Sequence, residues 1–154
     1  MIQRIQSIYL FVTAIVTAFT FIFPFAEYLK DNTTYLLNIT GLTNNSTPNI
    51  IFNAYPLLLL VILCLIISIL TILLYKNRIL QARLCNLNIL LYVILIAGIF
   101  FYSDKAEQEL GIEGLLTTFK FGSIAPILSI ILTFMANRAI RKDEALVRAA
   151  DRIR

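Results

Sequence analysis

A chain of 154 residues has room for one domain, and 59% of its residues are hydrophobic against 14% charged. A soluble globule carries about a quarter charged residues, so most of this molecule cannot face water and lipid becomes the expected solvent. The net charge is +4 and histidine is absent, which removes the commonest general base and metal ligand.

A hydrocarbon core about 30 Å thick is crossed by about 20 apolar residues in a helix. Backbone groups cannot stay unpaired there, so each crossing segment is expected to be helical. The first candidate span, 5–26, is uncharged. It is longer than the apolar stretch of about 7–15 residues in a signal peptide. Arg4 is the only charge before it, and Pro24 sits in the wrong place for cleavage at "FPFA", so the segment reads as retained. The loop 27–54 follows. Its runs "TYLLNITGLT" and "NIIFNAY" are β-type in composition, and "NNSTP" between them is a turn signal. These suit a small β-hairpin lying on the outer face. Asn-x-Ser/Thr triplets at Asn32, Asn38, Asn44 and Asn45 arise readily by chance in an Asn- and Thr-rich loop, so they are weak glycosylation signals.

The second span is expected at 55–75, with Pro56 in its first turn, where proline costs little. A short basic connection, "KNRILQAR", leads to the third span, 84–103. Cys64 and Cys85 lie in these apolar runs without a CxxC spacing, which reads as two small apolar fillers rather than a thiol–disulfide pair. Asn86 and Asn88 enter the third span at its basic end and suit hydrogen bonds between helices. The acidic stretch "SDKAEQELGIEGLLTTF" has no calcium-loop spacing and reads as a solvated loop with at most one short helix. The fourth span is expected at 121–137, with Pro126 near its start.

Lys and Arg in short loops set orientation. One side holds ten: Arg4, Lys76, Arg78, Arg83, Arg138, Arg141, Lys142, Arg148, Arg152 and Arg154. The other holds three: Lys30, Lys105 and Lys120. Both termini are therefore expected in the cytoplasm. Charges inside a span mark ion paths and proton relays, and the middles of these four spans hold only hydroxyls: Thr13, Thr17, Ser68, Thr71, Ser129 and Thr133. This argues against a four-span drug exporter, which would need a mid-membrane carboxylate.

The chain closes on "ANRAIRKDEALVRAADRIR", in which nine of nineteen residues are charged. No Gly or Pro separates it from the fourth span, so the helix has no local reason to stop. At about 100° per residue, Ala136, Ala139, Ile140, Leu146, Val147, Ala150 and Ile153 share an apolar arc, and Asp143 falls within it. The basic residues collect opposite. Topology explains charges near the membrane, but an apolar stripe reaching Ile153 needs burial of its own.

Three stretches, "MIQRIQSIYL", "ARLCNLN" and the closing helix, together resemble a family of short four-span inner-membrane proteins of Bacteroidetes known only as a domain of unknown function. The resemblance covers the whole chain. It implies a bacterial inner membrane and no activity. Its motif positions here include Arg4, Arg83, Cys85, Asn86, Asn88, Arg138, Arg141, Lys142, Asp143, Glu144, Arg148, Asp151 and Arg152.

The expected architecture is thus an all-α membrane protein. It is one domain, 1–154, built as a four-transmembrane-helix bundle whose last helix extends as a cytoplasmic amphipathic helix, 138–154. The leading functional expectation is a non-enzymatic accessory or scaffold subunit docking a partner through Asp143, Leu146, Val147, Ala150 and Ile153. The rival is a small membrane enzyme or lipid-binding protein with a polar site built from Arg83, Asn86, Asn88, Arg141 and Asp143. The bilayer and another protein, or a second copy, are the expected partners, with no cofactor, catalytic residue, metal or nucleic acid.

Overall fold

The computed structural model describes residues 3–30, 33–44, 50–75, 77–111 and 117–152. The turn signal "NNSTP" from Asn45 onward, together with Asn32, Lys76, Glu113, Ile153 and Arg154, lies outside them. The all-α expectation is overturned. Among the described residues, four helices, α1 (Gln3–Phe19), α2 (Tyr55–Leu73), α3 (Arg78–Leu110) and α4 (Phe121–Arg152), are joined to five strands. The strands are β1 (Ala26–Lys30), β2 (Thr33–Asn38), β3 (Gly41–Asn44), β4 (Ile50–Asn53) and β5 (Thr117–Phe119). They form one antiparallel sheet in the order β4-β3-β2-β1-β5, so the fold is a small mixed α/β one.

The correction has local causes. The first span was expected to reach Ala26, but α1 stops at Phe19 and continues as a turn closed by Phe21 N–H to Ala18 O and Ile22 N–H to Phe19 O. Pro24 has no N–H to donate, and Phe25 N–H already bonds Leu37 O on β2 at 2.8 Å. The run "TYLLNITGLT" divides into β2 and β3, with Asn38 opposite Gly41. The three residues "TTF", at the end of the stretch read as a solvated loop, pair with β1 instead. Conversely, the first part of the acidic stretch, 103–110, is helix. α3 runs on to Leu110 because Ala106 and Leu110 stay buried on its inner face, and Gly111 ends it in the left-handed conformation.

Alternation places one row of the sheet inward. Ala26 lies opposite Leu37, Leu37 opposite Leu42, and Leu42 opposite Phe52. Ala26, Leu37 and Leu42 are fully buried, and they join Leu57, Leu95, Ile99 and Ala106 of α2 and α3 in one apolar core. Full burial of each leucine stabilises by about 1.5–3 kcal/mol. The sheet therefore caps one end of the helices. At that end Lys120 pairs with Glu27 at 2.5 Å, and Lys30 Nζ donates to the carbonyl of Leu110, the negative end of α3. Lys105 lies over the Phe52 ring, 5.2 Å from its centre. Gly122, at the start of α4, packs so closely on the chain leaving α1 that a Cβ would sit 2.5 Å from Pro24 O.

Tyr28 of β1 is fully buried and shares a 2.8 Å hydrogen bond with Ser103 Oγ of α3. Burial pushes its phenol above the ordinary tyrosine range. The charges of Glu107 and Asp104 push the same way, and the Ser103 bond opposes them. A raised folded pKa means that the neutral phenol belongs to the fold. Its contribution is complete below about pH 10 and is lost as pH climbs past that value. The sheet should therefore loosen from α3 in alkali. Tyr28→Phe should remove that step while costing about 1 kcal/mol at neutral pH. Hydrogen exchange of the β1 amides against pH measures both. Identical alkaline profiles for parent and variant would show that another group controls the joint.

Three helical stretches, Tyr55–Leu73, Arg78–Leu110 and Phe121–Val147, are long and apolar enough to cross a membrane; the apolar part of α1, Ile5–Phe19, is shorter. α4 packs against α1 and α3, and α2 against the same two helices. Large apolar side chains such as Leu59, Ile62, Leu90, Val93, Ile131 and Phe134 face outward from the helices. In water such a surface would be an interface or an aggregation hazard.

Candidate functional site

Polar residues occupy two places among the helices. The first is a seam through the interior. Its hydroxyls bond their own helix four residues back: Thr13 to Tyr9 O, Ser68 to Cys64 O, Thr71 to Ile67 O and Thr133 to Ser129 O, all at 2.6–2.9 Å. Tyr92, fully buried on α3, ties the helices together. Its hydroxyl lies 2.6 Å from Thr17 Oγ1 of α1 and 3.5 Å from Ser68 Oγ of α2. Thr17 in turn lies 3.3 Å from Ser129 of α4. Asn88 donates to Ser68 at 2.8 Å, and its own Oδ1 has no hydrogen-bond partner among the described residues. Gln81, 2% exposed, donates to Thr71 O. Bonds of this kind hold helices together in lipid at roughly 1 kcal/mol each.

The second place is the end opposite the sheet, where α4 outruns its neighbours. Here Asp143 is the last buried residue of α4 among the described residues. Ala136 and Ile140 are fully buried against Leu10, Ala82 and Cys85. Gln6 of α1 donates to Ala139 O at 3.2 Å. Asp143, only 8% exposed, pairs with Arg78 at the start of α3. The carboxylate Oδ2 lies 3.3 Å from the guanidinium without the alignment of a hydrogen bond, and Arg78 also donates to Asp143 O at 3.4 Å. Beyond that anchor Leu146 and Val147 are exposed, 51% and 43%.

Beside the anchor, two open hollows that share Asn86 and Arg141 in their linings make up a shallow groove along α3 and α4. One half, about 290 Å³, is lined by Ile79, Ala82, Arg83, Asn86, Arg141 and Glu144. The other, about 270 Å³, is lined by Asn86, Phe134, Asn137, Arg138 and Arg141. Asn137 organises it. Buried at 6% exposure, it donates to Asn86 Oδ1 and accepts from Arg141 Nε at 3.2 Å. That second bond uses Nε and leaves the terminal nitrogens of Arg141, the pair that forks onto an oxyanion, outside it.

The residues singled out from sequence therefore part company. Arg83, Asn86 and Arg141 meet in the groove. Asn88 turns into the helix interior, and Asp143 serves the ion pair with Arg78. Of the tail residues, Leu146 and Val147 are exposed, Ala150 lies within α4, and Ile153 is outside the described residues. The sequence marked Arg78 only as a topology charge and gave no role to Asn137 or Tyr92. Asn137 precedes Arg141 by four residues, the spacing of side-chain neighbours on a helix, and that signal was available. Cys64 and Cys85 are buried and free, on α2 and α3.

No curated protein and no solved structure matches the chain. A family described as a domain of unknown function, DUF4293, matches residues 2–153. With nearly the whole chain inside that match, the protein belongs to the DUF4293 family.

Proposed function

We propose that this chain is a non-enzymatic accessory subunit of a bacterial inner membrane, docking an acidic amphipathic helix of a partner protein on the end of α4. In this reading all four helices lie in the bilayer and both termini are cytoplasmic. The ten-to-three distribution of Lys and Arg supports that orientation. The observation that carries the docking is the exposure of Leu146 and Val147 on a helix continuing beyond the Arg78–Asp143 anchor. An apolar pair on a helix rooted in the body is a preorganised docking surface, because its ordering cost is already met in the free protein.

Charge selects the occupant. From Arg138 onward the chain holds six basic residues against three acidic ones, and Asp143 is already paired. A second copy would bring the same excess of positive charge, whereas an acidic partner complements it. A photo-cross-linker at Leu146 in native membranes tests the reading. The expected product is a single heteromer whose contact segment is apolar and acid-flanked. Val147→Asp should lower its yield tenfold or more, since an unpaired charge is costly to bury. Ala149→Asp should leave it nearly unchanged. Homodimers or lipid adducts alone, or equal yields from both variants, would overturn the proposal.

A further inference from the structure

The groove between α3 and α4 is separate from the docking surface, and its chemistry is specific. Three arginines, Arg83, Arg138 and Arg141, line it against one acid, Glu144. Guanidinium groups are suited to oxyanions because their paired N–H donors match the oxygen spacing of a phosphate or carboxylate. Arg141 is also oriented in advance. Asn137 holds its Nε and is itself tied to Asn86 across the groove. The side-chain entropy that a free arginine would lose on binding is thus partly met beforehand.

The level of the groove along the helices identifies the anion. On α3 the outward residues change from a mixed set, Ile79, Leu80, Arg83 and Asn86, to the wholly apolar Leu87, Leu90 and Val93; on α4 they change from Ile131, Phe134 and Met135 to Arg138 and Arg141. Both changes occur at the groove, so its floor is apolar on one side and its rim basic on the other. A free phosphate uses only the rim. A phospholipid uses both, placing its phosphate among the arginines and its acyl chains along Phe134 and Leu90. We infer that this groove is a binding site for the headgroup of an anionic phospholipid. The inference shares with the proposed function only its embedding in the bilayer and needs no protein partner.

Full-length protein is reconstituted into vesicles of phosphatidylcholine with a minor share of phosphatidylglycerol. Flotation of the parent with the vesicles is checked first; protein that stays in solution would overturn embedding itself, and with it both readings. Spin-labelled phosphatidylglycerol and phosphatidylcholine then report the preference of the protein-bound lipid for the anionic headgroup. The parent should prefer phosphatidylglycerol by roughly twentyfold, about fivefold for each of Arg83 and Arg141. Arg141→Gln should lower that preference about fivefold, in line with the attraction of one basic side chain for an anionic leaflet. Arg83→Gln with Arg141→Gln should abolish it. Lys142→Gln removes the same charge from an exposed residue outside the groove lining and should leave the preference almost intact. Asn137→Ala keeps every charge but releases Arg141, and it should lower the preference about as much as losing a hydrogen bond that orients a donor, severalfold. Each variant must float and keep the parent's helix content. Equal losses from Lys142→Gln and Arg141→Gln would reduce the effect to diffuse basicity and overturn the site. So would an inserted parent without preference, or a preference erased by millimolar inorganic phosphate, which would assign the groove to a soluble anion.

Discussion

Gly41→Ala should be among the most damaging single-methyl changes in this protein, costing about 3 kcal/mol. Two independent penalties coincide at Gly41. Its φ is 144°, in the region that side chains disfavour. A Cβ there would also lie 2.1 Å from Phe52 O and 3.1 Å from Asn53 Cα. Those are backbone atoms, and β4 has little freedom to withdraw because Ala54 N–H bonds Thr40 O at 2.9 Å. The expected result is loss of the β3–β4 ladder, read as fast hydrogen exchange at residues 41–44 and 50–53 with the helices still protected. Gly98→Ala is the comparison. Its new Cβ meets only Leu57 Cδ2, at 2.9 Å, the tip of a side chain that can rotate, so about 1 kcal/mol is expected. Equal costs for the two changes would show that neither the strand geometry nor the carbonyl contact governs this turn.

The second large effect is expected at the root of α4. Arg78→Met keeps most of the stem's apolar packing but leaves Asp143, 8% exposed, without its cation. A fully buried carboxylate left unpaired costs about 3–5 kcal/mol. The side chains here retain 24% and 12% exposure, so about 2 kcal/mol is the better figure. Arg78→Met with Asp143→Leu removes both charges from the same place and should recover most of the loss. Thermal unfolding in detergent, together with exchange protection of α4 around Ile140 to Val147, distinguishes the cases. If single and double variants unfold alike, the ion pair does not anchor the helix.

What the sequence disclosed followed from how local each signal was. The apolar runs are continuous, and charge is absent between Leu84 and Ser103, so the middles of the helices could be placed from composition, but not their ends: α1 stops at Phe19 and α3 runs on to Leu110. The turn-back of the hydroxyls onto their own carbonyls depends only on neighbours four residues away, and it was legible too. The sheet was only half legible. β-branched and aromatic residues around Tyr35 and Ile51 suggested a hairpin, but the partnership of Thr117–Phe119 with β1 reaches across the whole of α2 and α3, and no periodicity in a three-residue strand announces it. The groove failed differently. Arg83, Asn86 and Asn88 are close in sequence, yet two residues on a helix differ by about 200°. That rotation sends Asn88 to Ser68 of α2 and Asn86 to Asn137 of α4. Asp143 looked like a flaw in an apolar stripe because its neutralising partner, Arg78, lies on another helix.

The pairing of β5 with β1 also sets an order of events in folding. Strands β1 to β4 are consecutive in the chain and can close as hairpins within microseconds. Strand β1 nevertheless keeps one bare edge, because its last neighbour emerges only after α2 and α3 have been made. Until Phe119 reaches Ala26, that edge offers unpaired N–H and C=O groups to any extended segment nearby. The closing of this seam between β5 and β1 is therefore a non-local step of this fold, as is the packing of α1 on α4. It leaves the nascent sheet exposed to pairing errors while most of the helical chain is still being delivered. A three-residue strand is a small final piece, but its arrival removes the edge and joins the N-terminal half to α4.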